Sequence, residues 1–498
     1  MKLKTVGMLA GVTMMLTSVT VWSVTPPGGF KDKVWEHVES SGWGSGDPTA
    51  ALESWRFESR STLTVEGRLG HKTLSSSRDS DTFLFLNVKA PTEAVGSTSA
   101  PLNLAIAIDR SGSMSGKKLE NAIEGARGMV RRLRDGDMVS VATFNTAVQT
   151  LAPPTVIDSR SREEVIRRIE GVTAEGDTCI SCGLENGMAA LRGGRAGMIK
   201  RMLLLSDGEP TSGVRDVEGF RTLAERARDM DCTISSVGVD VQYNEVLMSA
   251  IAITSNGRHY FVENPSGLPT VFDQEIQSLV KTVAASAEMR IGLAPGVQVL
   301  EVLDRAFRRE GDELVVPMGS FAAGEEKTVL AKVRVPRGSS GMRSVADVRF
   351  TFSDLLKNTQ GVGVGQLSAS LTDDDSKVSD LDPIVAGRLG RAETASALRE
   401  ANQLFKNGDV AGARAKLADA RTAANQARAK FAPRASAPRR EALNRDFDKQ
   451  VAGLDEAEEG FASAPAAKPG AAPAPPQDSR RGRAQVRSNE SSAAELGF

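Results

Sequence analysis

The chain has 498 residues, of which 40% are hydrophobic, so it is long enough for about three domains with buried cores. Its 62 lysine and arginine residues balance 63 aspartate and glutamate residues, which argues against nucleic acid as the main partner, since phosphate neutralisation needs a basic surplus. Three cysteines are too few for a disulfide scaffold, and the three histidines form no HExxH pattern, which argues against a zinc hydrolase.

The first 25 residues are typical of an export signal. Lys2 and Lys4 give a basic start, an apolar run follows, and "TPPGG" ends it. Val21 and Ser23 fit the small residues of a cleavage site imperfectly, and about 20 apolar residues can also span a bilayer. We therefore expect an exported protein, periplasmic or at the cell surface, with a signal peptide that is cleaved or retained as an inner-membrane anchor.

Residues 26–100 begin with turn-rich sequence and then contain two strand patterns, "STLTVEGRLGH" at 61–71 and "TFLFLNVKA" at 82–90. Two strands alone are marginal in water, so these need a larger sheet to join. Residues 288–372 offer one, because short strands such as "KTVLAKVRVP" alternate there with turns, as in a β-sandwich. We predict that the early strands join that sandwich. The region between them is then an insertion whose two ends lie close together.

Residues 101–287 differ from both flanks, because apolar strand patterns alternate with amphipathic helical patterns. "LNLAIAID" precedes "KKLENAIEGARGMVRRL", and "IKRMLLLSDG" precedes "VEGFRTLAERARDM". This alternation predicts an α/β domain with a doubly wound, mostly parallel, Rossmann-like sheet and helices on both faces. Such sheets bind ligands beyond the carboxyl ends of their strands.

The C-terminal part is predicted to be helical and then disordered. Within residues 383–460, "ALREANQLFKNGDVAGARAKLADAR" predicts a helical hairpin around a "KNGD" turn. From 461 to 498 the sequence is rich in proline and poor in apolar residues, which predicts a disordered, solvated tail. An alternative is that the arginines of this tail contact an acidic surface. These are Arg480, Arg481, Arg483 and Arg487.

Five oxygen-bearing side chains occur at strand ends and loops of the α/β region. Asp109 ends the first apolar strand, and Ser111 and Ser113 follow at alternate positions. Thr178 lies just before a helical pattern, and Asp207 ends a second strand in "LLLSDG". Hydroxyls and carboxylates, with no histidine or cysteine, are ligands that suit Mg²⁺. Two carboxylates match a divalent charge, while hydroxyl ligands leave the ion able to accept one more anionic oxygen.

Other interpretations of this stretch are weaker. Asp109 and the serines could cap the helix that starts near Lys117, but Thr178 and Asp207 would then have no part. "GSMSGKK" has three residues between its glycines where a P-loop has four, and Lys118 stands where a P-loop needs Ser or Thr. "SGKK" fits the SxxK of serine acyl enzymes, but no SDN or KTG partner occurs. We find no nucleophile–base pair in the sequence.

The order D-x-S-x-S, loop threonine, S/T-D-G resembles the metal-ion-dependent adhesion site of von Willebrand factor type A (vWA) domains, over about residues 102–285. The resemblance implies that Ser111, Ser113 and often the threonine bind the metal directly. It also implies that the aspartates act directly or through water, and that a partner's carboxylate completes the shell. The flanking regions are similar to those of bacterial secreted vWA proteins. Asp177 departs from the pattern, since a small residue is expected beside the threonine.

We therefore expect an exported, non-catalytic vWA protein that binds a protein partner through Mg²⁺, or Mn²⁺ or Ca²⁺, with the partner supplying an Asp or Glu carboxylate. We expect no nucleic-acid partner, and we expect contact with a membrane only through a possible N-terminal anchor. One alternative is a structural scaffold whose metal site only stabilises the fold. A CxxC redox enzyme is less favoured because the usual redox fold context is absent, and a metal-assisted hydrolase because no general base is evident. The expected metal residues are Asp109, Ser111, Ser113, Thr178 and Asp207.

The "CISC" motif at 179–182 stands at a helix start, where the pKa of a thiol falls, as in dithiol oxidoreductases. Inert packing under the loop and a redox switch both remain open. Residues three apart at a helix start have Cα atoms about 5 to 6 Å apart, which is within disulfide range. We predict that Cys179 and Cys182 are bonded in the exported protein and that Cys232 stays free.

Overall fold

The computed structural model describes residues 56–93, 100–195, 197–303, 305–462 and 475–497. The export signal or anchor predicted for residues 1–25 lies outside these ranges. Within them, no helix combines the length and the hydropathy needed to cross a membrane.

Strands come first and last around a central α/β region. The described part of the chain begins with β1 (Arg56–Arg60), β2 (Thr64–Leu69), β3 (Thr73–Ser75) and β4 (Ser80–Lys89). The α/β region contains β5 (Leu102–Asp109), α1 (Lys117–Arg132), β6 (Met138–Phe144), β7 (Val148–Val156), α2 (Ser159–Ile169), α3 (Ile180–Leu191), β8 (Ile199–Ser206), α4 (Val217–Arg228), β9 (Cys232–Val239), α5 (Glu245–Thr254), β10 (His259–Val262) and α6 (Leu268–Val280).

The remaining elements are strands and then helices. The strands are β11 (Thr282–Leu293), β12 (Gln298–Val302), β13 (Arg308–Glu310), β14 (Glu313–Ala322), β15 (Glu326–Val335), β16 (Gly341–Asp354) and β17 (Thr359–Thr372). The helices are α7 (Pro383–Lys406), α8 (Val410–Phe431), α9 (Ala437–Ala462) and α10 (Arg480–Gly497).

The α/β region is built on one sheet in the order β10-β9-β8-β5-β6-β7. All neighbours are parallel except β7, which is antiparallel to β6. Every residue of β5 and β6 is buried, because helices cover both faces of the sheet. The strand order reverses beside β5, since β6 follows on one side and β8 lies on the other. This confirms the predicted doubly wound sheet and places its switch point at the carboxyl ends of β5 and β8.

The two sheets of the β-sandwich combine strands from before and after the α/β region. Their orders are β1-β2-β4-β15-β12 and β13-β14-β11-β16-β17-β3. Strand β4 pairs with β15 along its whole length, from Ser80 with Val335 to Lys89 with Glu326. One apolar core joins the two parts of the chain, for example Leu86 of β4 with Met289 of β11 and Phe350 of β16.

The ends of the α/β region meet at one turn of the sandwich. Gly324 donates a backbone hydrogen bond of 2.7 Å to the carbonyl of Pro91, and Ala323 donates one of 2.9 Å to the carbonyl of Lys281. Pro91 precedes the region and Lys281 follows it, so both ends contact adjacent residues. The predicted insertion of the α/β region into a β-sandwich is confirmed.

Helices α7 and α8 form the predicted hairpin, and two further helices pack on it. The turn places Gly408 at a φ of 87°, and Asp409 caps α8 by accepting from the amide of Gly412. Helix α9 returns along the pair, and Phe461 stacks on Phe405 with ring centroids 4.1 Å apart. These helices therefore share one core.

The prediction of a disordered tail over residues 461–498 is wrong for residues 480–497, which form α10. Val486 and Ala493 are buried against α7 and α9. These two residues are seven positions, or about two helical turns, apart and therefore lie on the same face of α10. Asn489, also buried, donates to the Oδ1 atom of Asn402 at 2.9 Å. The composition misled because the proline-rich stretch before α10 dominates the average and hides this short amphipathic pattern.

Candidate metal centre

The five residues with candidate oxygen ligands converge at the carboxyl ends of β5 and β8. Asp109 is the last residue of β5, and Asp207 comes directly after β8. Because these strands are adjacent and parallel, their ends lie side by side. Ser111 and Ser113 belong to the loop between β5 and α1, and Thr178 lies two residues before α3.

Asp109 is fully buried and both of its carboxylate oxygens accept hydrogen bonds from the protein. The backbone amide of Ser111 donates to Oδ1 at 2.8 Å, and the hydroxyl of Ser206 donates to Oδ2 at 2.5 Å. Burial raises the pKa of Asp109 to about 6, and the hydrogen bonds from Ser206 and Ser111 offset only part of that effect. A cation nearby would favour the ionised carboxylate.

The hydroxyls of Ser111 and Ser113 lie side by side in this group, and Ser111 is buried. Their Oγ atoms are 3.1 Å apart, and Ser113 donates its proton to Oδ1 of Asp207 at 2.7 Å. Because that proton is used, Ser111 is the donor in the bond between the two serines, and one lone pair of the Ser113 oxygen remains available. Adjacent ligands of an octahedral Mg²⁺ at 2.0–2.1 Å are about 3 Å apart, so the spacing of the two hydroxyls suits neighbouring ligand positions. Ser113 is exposed, whereas Asp109 and Asp207 are not.

Thr178 and Gly208 lie beside the hydroxyls of Ser111 and Ser113, and we call the space enclosed by these four residues the cradle. A Cβ atom built on Gly208 would lie 3.5 Å from Oγ1 of Thr178 and 3.7 Å from Oγ of Ser113. The absence of a side chain at Gly208 therefore leaves space beside both hydroxyls. The loop of Thr178 is held by Thr211, whose hydroxyl accepts from the Thr178 amide at 2.8 Å and whose own amide donates to the Thr178 carbonyl at 2.9 Å.

The donor chemistry fits a small divalent cation. Three uncharged hydroxyls face the cradle, and two carboxylates stand directly behind them with their oxygens engaged by protein donors. The structure thus brings together the side chains that the sequence singled out, Asp109, Ser111, Ser113, Thr178 and Asp207.

Residues 103–274 match the sequence profile of the von Willebrand factor type A domain. These residues form a vWA domain. An uncharacterised Synechocystis protein, sll0103, is 26% identical over 264 residues, which are 51% of this chain and 62% of that relative. The uncharacterised Escherichia coli protein YfbK is 30% identical over 196 residues, 39% of this chain and 34% of YfbK. The chain thus spans less than two thirds of either relative.

The likeness of fold extends beyond the vWA domain. A solved structure described as von Willebrand factor type A from Catenulispora acidiphila superposes with a TM-score of 0.65 at 18% identity. The superposition covers 83% of this chain and 93% of that one, a share much larger than the vWA domain. The sandwich and helices therefore belong to a shared architecture.

Lys118 lies beside the vWA site, where sequence reasoning treated it only as a mismatch to a P-loop. Its ammonium is 2.6 Å from Oδ2 of Asp207 and 3.2 Å from Oδ2 of Asp240, and its side chain is 17% exposed. Burial lowers the pKa of Lys118, but the ion pairs with the two carboxylates outweigh burial and raise it. Asp177, the departure noted in the sequence, is exposed at the rim beside Thr178.

The vWA domain carries the predicted disulfide directly behind Thr178. Cys179 and Cys182 are bonded with Cα atoms 5.3 Å apart, and Cys232 is free and buried. The amide of Cys179 donates to the carbonyl of Asn145 at 2.9 Å, which ties this loop to the end of β6. Burial raises the pKa of Cys232 to about 12, so its thiol is inert at neutral pH.

A serine–histidine pair occurs in the vWA domain, although the sequence gave no sign of one. The hydroxyl of Ser236 and Nδ1 of His259 are 2.8 Å apart, and the hydroxyl of Tyr243 is 3.0 Å from Nε2. All three side chains are buried, and Ser236 also donates to the carbonyl of Met248. Both ring nitrogens are thus engaged within the core, so this pair braces β9 against β10.

Proposed function

We propose that this chain is an exported, non-catalytic protein that captures a protein partner through a divalent cation held at its vWA site. The observation that carries the proposal is the group of hydroxyls at the joint end of β5 and β8. Ser111 and Ser113 are 3.1 Å apart there, in front of two buried carboxylates that are already hydrogen-bonded by the protein.

The charges of the site favour an acidic partner. Ser111, Ser113 and Thr178 are neutral ligands, so they leave the charge of a cation intact. Asp109, Asp207 and Asp240 contribute three negative charges and Lys118 and Arg480 two positive charges, so a divalent cation brings the group to a net charge of one positive. Mg²⁺, or Mn²⁺ or Ca²⁺, would supply an open coordination position that attracts an anionic oxygen. The carboxylate of an Asp or Glu on the partner has the matching charge and chemistry.

The family and the exposure of Ser113 support a binding role. Domains of the vWA family commonly mediate protein–protein interactions. The site lies at one end of the domain, with Ser113 exposed to solvent. The Ser236–His259 pair gives no support to a hydrolase because its residues are buried. Cys179 is bonded and 1% exposed, which gives no support to a dithiol enzyme.

Export is proposed from two features. The first 25 residues combine a basic start with a long apolar run. The Cys179–Cys182 disulfide is a bond that persists in oxidising compartments and is rare in the cytosol. A periplasmic or cell-surface location, with or without an inner-membrane anchor, agrees with both.

Capture of partners with and without chelator tests the function. The immobilised full chain is incubated with extract in Mg²⁺, washed, and eluted with EDTA, beside the Ser113→Ala variant. Partners that EDTA releases from the wild type and that the variant does not retain support a metal-dependent binding protein. Partners that stay bound in EDTA and bind the variant equally would favour the scaffold alternative, in which the metal site only stabilises the fold.

A further inference from the structure

Lys117 and Lys118 are neighbours in sequence but have different surroundings. Lys117 is 83% exposed and pairs with Glu120 one helical turn away. Lys118 is 17% exposed and lies between Asp207 and Asp240, from two different strand ends. Lys118 is half-buried and Asp207 is fully buried, so their ion pair is costly to desolvate and differs from an ordinary surface ion pair.

The position of Lys118 makes it a competitor for the charge that a cation needs. Asp207 accepts from Ser113 through Oδ1 and from Lys118 through Oδ2. Each carboxylate charge at the site is attractive to a divalent cation, and the ammonium cancels one of them. A cation in the cradle and the ammonium of Lys118 also repel each other.

We propose that Lys118 sets the affinity of the vWA site for its divalent cation. Asp240 and Arg480 adjust this effect, because they determine how strongly the ammonium of Lys118 is drawn from Asp207 toward Asp240. The inference rests on the proposed function, because it assumes that the cation binds at Ser111, Ser113 and Thr178. Lys118 acts through charge and not as a ligand, so it is a positioning residue of the site.

Asp240 is held where it can take over the ammonium. It has a φ of 64°, and its amide donates to the carbonyl of Val262 at 2.9 Å. Its Oδ1 atom accepts from the amide of Val241 at 2.8 Å, while Oδ2 faces Lys118. When a cation repels the ammonium from Asp207, Asp240 offers it a second carboxylate. Asp240 therefore favours cation binding.

Arg480, at the start of α10, opposes Asp240. Its Nη1 atom is 2.8 Å from Oδ1 of Asp240, so it neutralises the carboxylate that would draw Lys118 away. Helix α10 is anchored on the vWA domain by Arg487, which donates to the carbonyl of Tyr243 at 2.9 Å, and by Glu490, which accepts from Ser249 at 3.1 Å. The C-terminal helix is thus connected to the metal site through a row of alternating charges.

This row of charges predicts whether each substitution raises or lowers the affinity for Mn²⁺. Lys118→Met should tighten Mn²⁺ binding by about tenfold or more. One charge within about 4–6 Å shifts the pKa of a neighbouring group by about one to three, which is at least a tenfold change in its affinity for a proton. Asp240→Asn should weaken it by about three- to tenfold, because Lys118 is then left to Asp207 alone. Arg480→Gln should tighten it by only about two- to threefold, since Arg480 is 59% exposed and screened.

The test is titration calorimetry of the full chain with Mn²⁺ alone as the probe. Lys117→Met is the matched control and should bind like the wild type. Lys118→Arg keeps the charge and should also bind within about twofold of the wild type. The effect of Asp240→Asn should shrink when Lys118 is already Met, because the route through the ammonium is gone. Thermal unfolding in EDTA shows that each variant folds.

The outcomes separate this inference from the proposed function. Tighter binding by Lys118→Met, with Lys117→Met unchanged, supports the inference. Unchanged or weaker binding by a folded Lys118→Met overturns it, while the function stands if Ser113→Ala abolishes binding. If Ser113→Ala binds Mn²⁺ as well as the wild type, the proposed site is wrong. If neither the wild type nor Lys118→Met binds Mn²⁺, both are overturned.

Discussion

Ser113 donates a hydrogen bond of 2.7 Å to Oδ1 of Asp207, a residue 94 positions later in the chain. The bond joins the loop after β5 to the end of β8 and orients the proton of Ser113 toward the carboxylate. The oxygen of Ser113 is then free to accept a cation on its other side. Asp207 thereby orients the Ser113 hydroxyl, whose oxygen we propose as a ligand of the cation.

Asp109→Asn should abolish cation binding and leave the fold intact. The carboxamide keeps the acceptor for the Ser111 amide, and the hydroxyl of Ser206 can reverse its hydrogen bond to accept from the new amino group. A buried negative charge is removed, so the free energy of unfolding in EDTA should change by no more than about 1 kcal/mol. Chemical unfolding in EDTA and Mn²⁺ titration measure the two effects. A variant that still binds Mn²⁺ would exclude Asp109 from the site.

Gly208→Ala should block the cradle. The added methyl group would meet Thr178 and Ser113 at 3.5 and 3.7 Å, which are ordinary contacts, so the fold should tolerate it. It would lie against the oxygens that face the cation and displace water from its shell, so Mn²⁺ affinity should fall by about tenfold or more. Gly116→Ala is a poor control because of its φ of 76°, whereas Gly112→Ala, with one neighbour at 3.7 Å, is suitable. Equal affinities of wild type and Gly208→Ala would show that the cation lies elsewhere.

The disulfide should contribute modestly to stability. A bond that closes so short a loop restricts the unfolded chain by roughly 2 kcal/mol, so the double change Cys179→Ser, Cys182→Ser should lower the free energy of unfolding by about that amount. Cation binding should also weaken, because Cys179 follows Thr178 directly. Intact mass after alkylation in denaturant without reductant should show one label, on Cys232. Three labels would mean that the bond is absent from the exported protein.

His259 should make the protein less stable in mild acid. Burial lowers the pKa of His259 to about 4, while the unfolded chain takes up the proton near about 6.5. The folded state is therefore most favoured above pH 6.5, and stability falls as the pH drops toward 4, by at most roughly 3 kcal/mol. In chemical unfolding across this range, the free energy of unfolding should change less steeply with pH for His259→Gln than for the wild type. Identical slopes for the two proteins would assign the acid sensitivity to other groups.

The sequence was sufficient to predict the parts of the fold that local patterns encode. Alternating apolar strands and amphipathic helices predicted the sheet, and their ends predicted that Asp109 and Asp207 would meet. The early strands were correctly assigned to the sandwich, because two strands cannot form a core alone. The disulfide followed from helical spacing. Each of these conclusions depends on a short window and one general physical rule.

Contacts between distant side chains were not predicted. Lys118 and Asp240 are 122 positions apart, and nothing in either neighbourhood indicates that they pair. Ser236 and His259 meet only because β9 and β10 are neighbours in register. Helix α10 was missed because its burial depends on α7 and α9 as partners, and its own sequence is mostly polar. Sequence patterns report faces and strand ends, whereas these contacts depend on how elements pack.

Titration of the full chain with Mn²⁺, wild type beside Ser113→Ala, tests the central claim most directly. Ser115 provides the control, because it is exposed and donates only to the carbonyl of Gly112, so Ser115→Ala should bind like the wild type. The account predicts one Mn²⁺ per wild-type chain and loss of that binding in Ser113→Ala, with both proteins folded in EDTA. Equal binding by wild type and Ser113→Ala would contradict it.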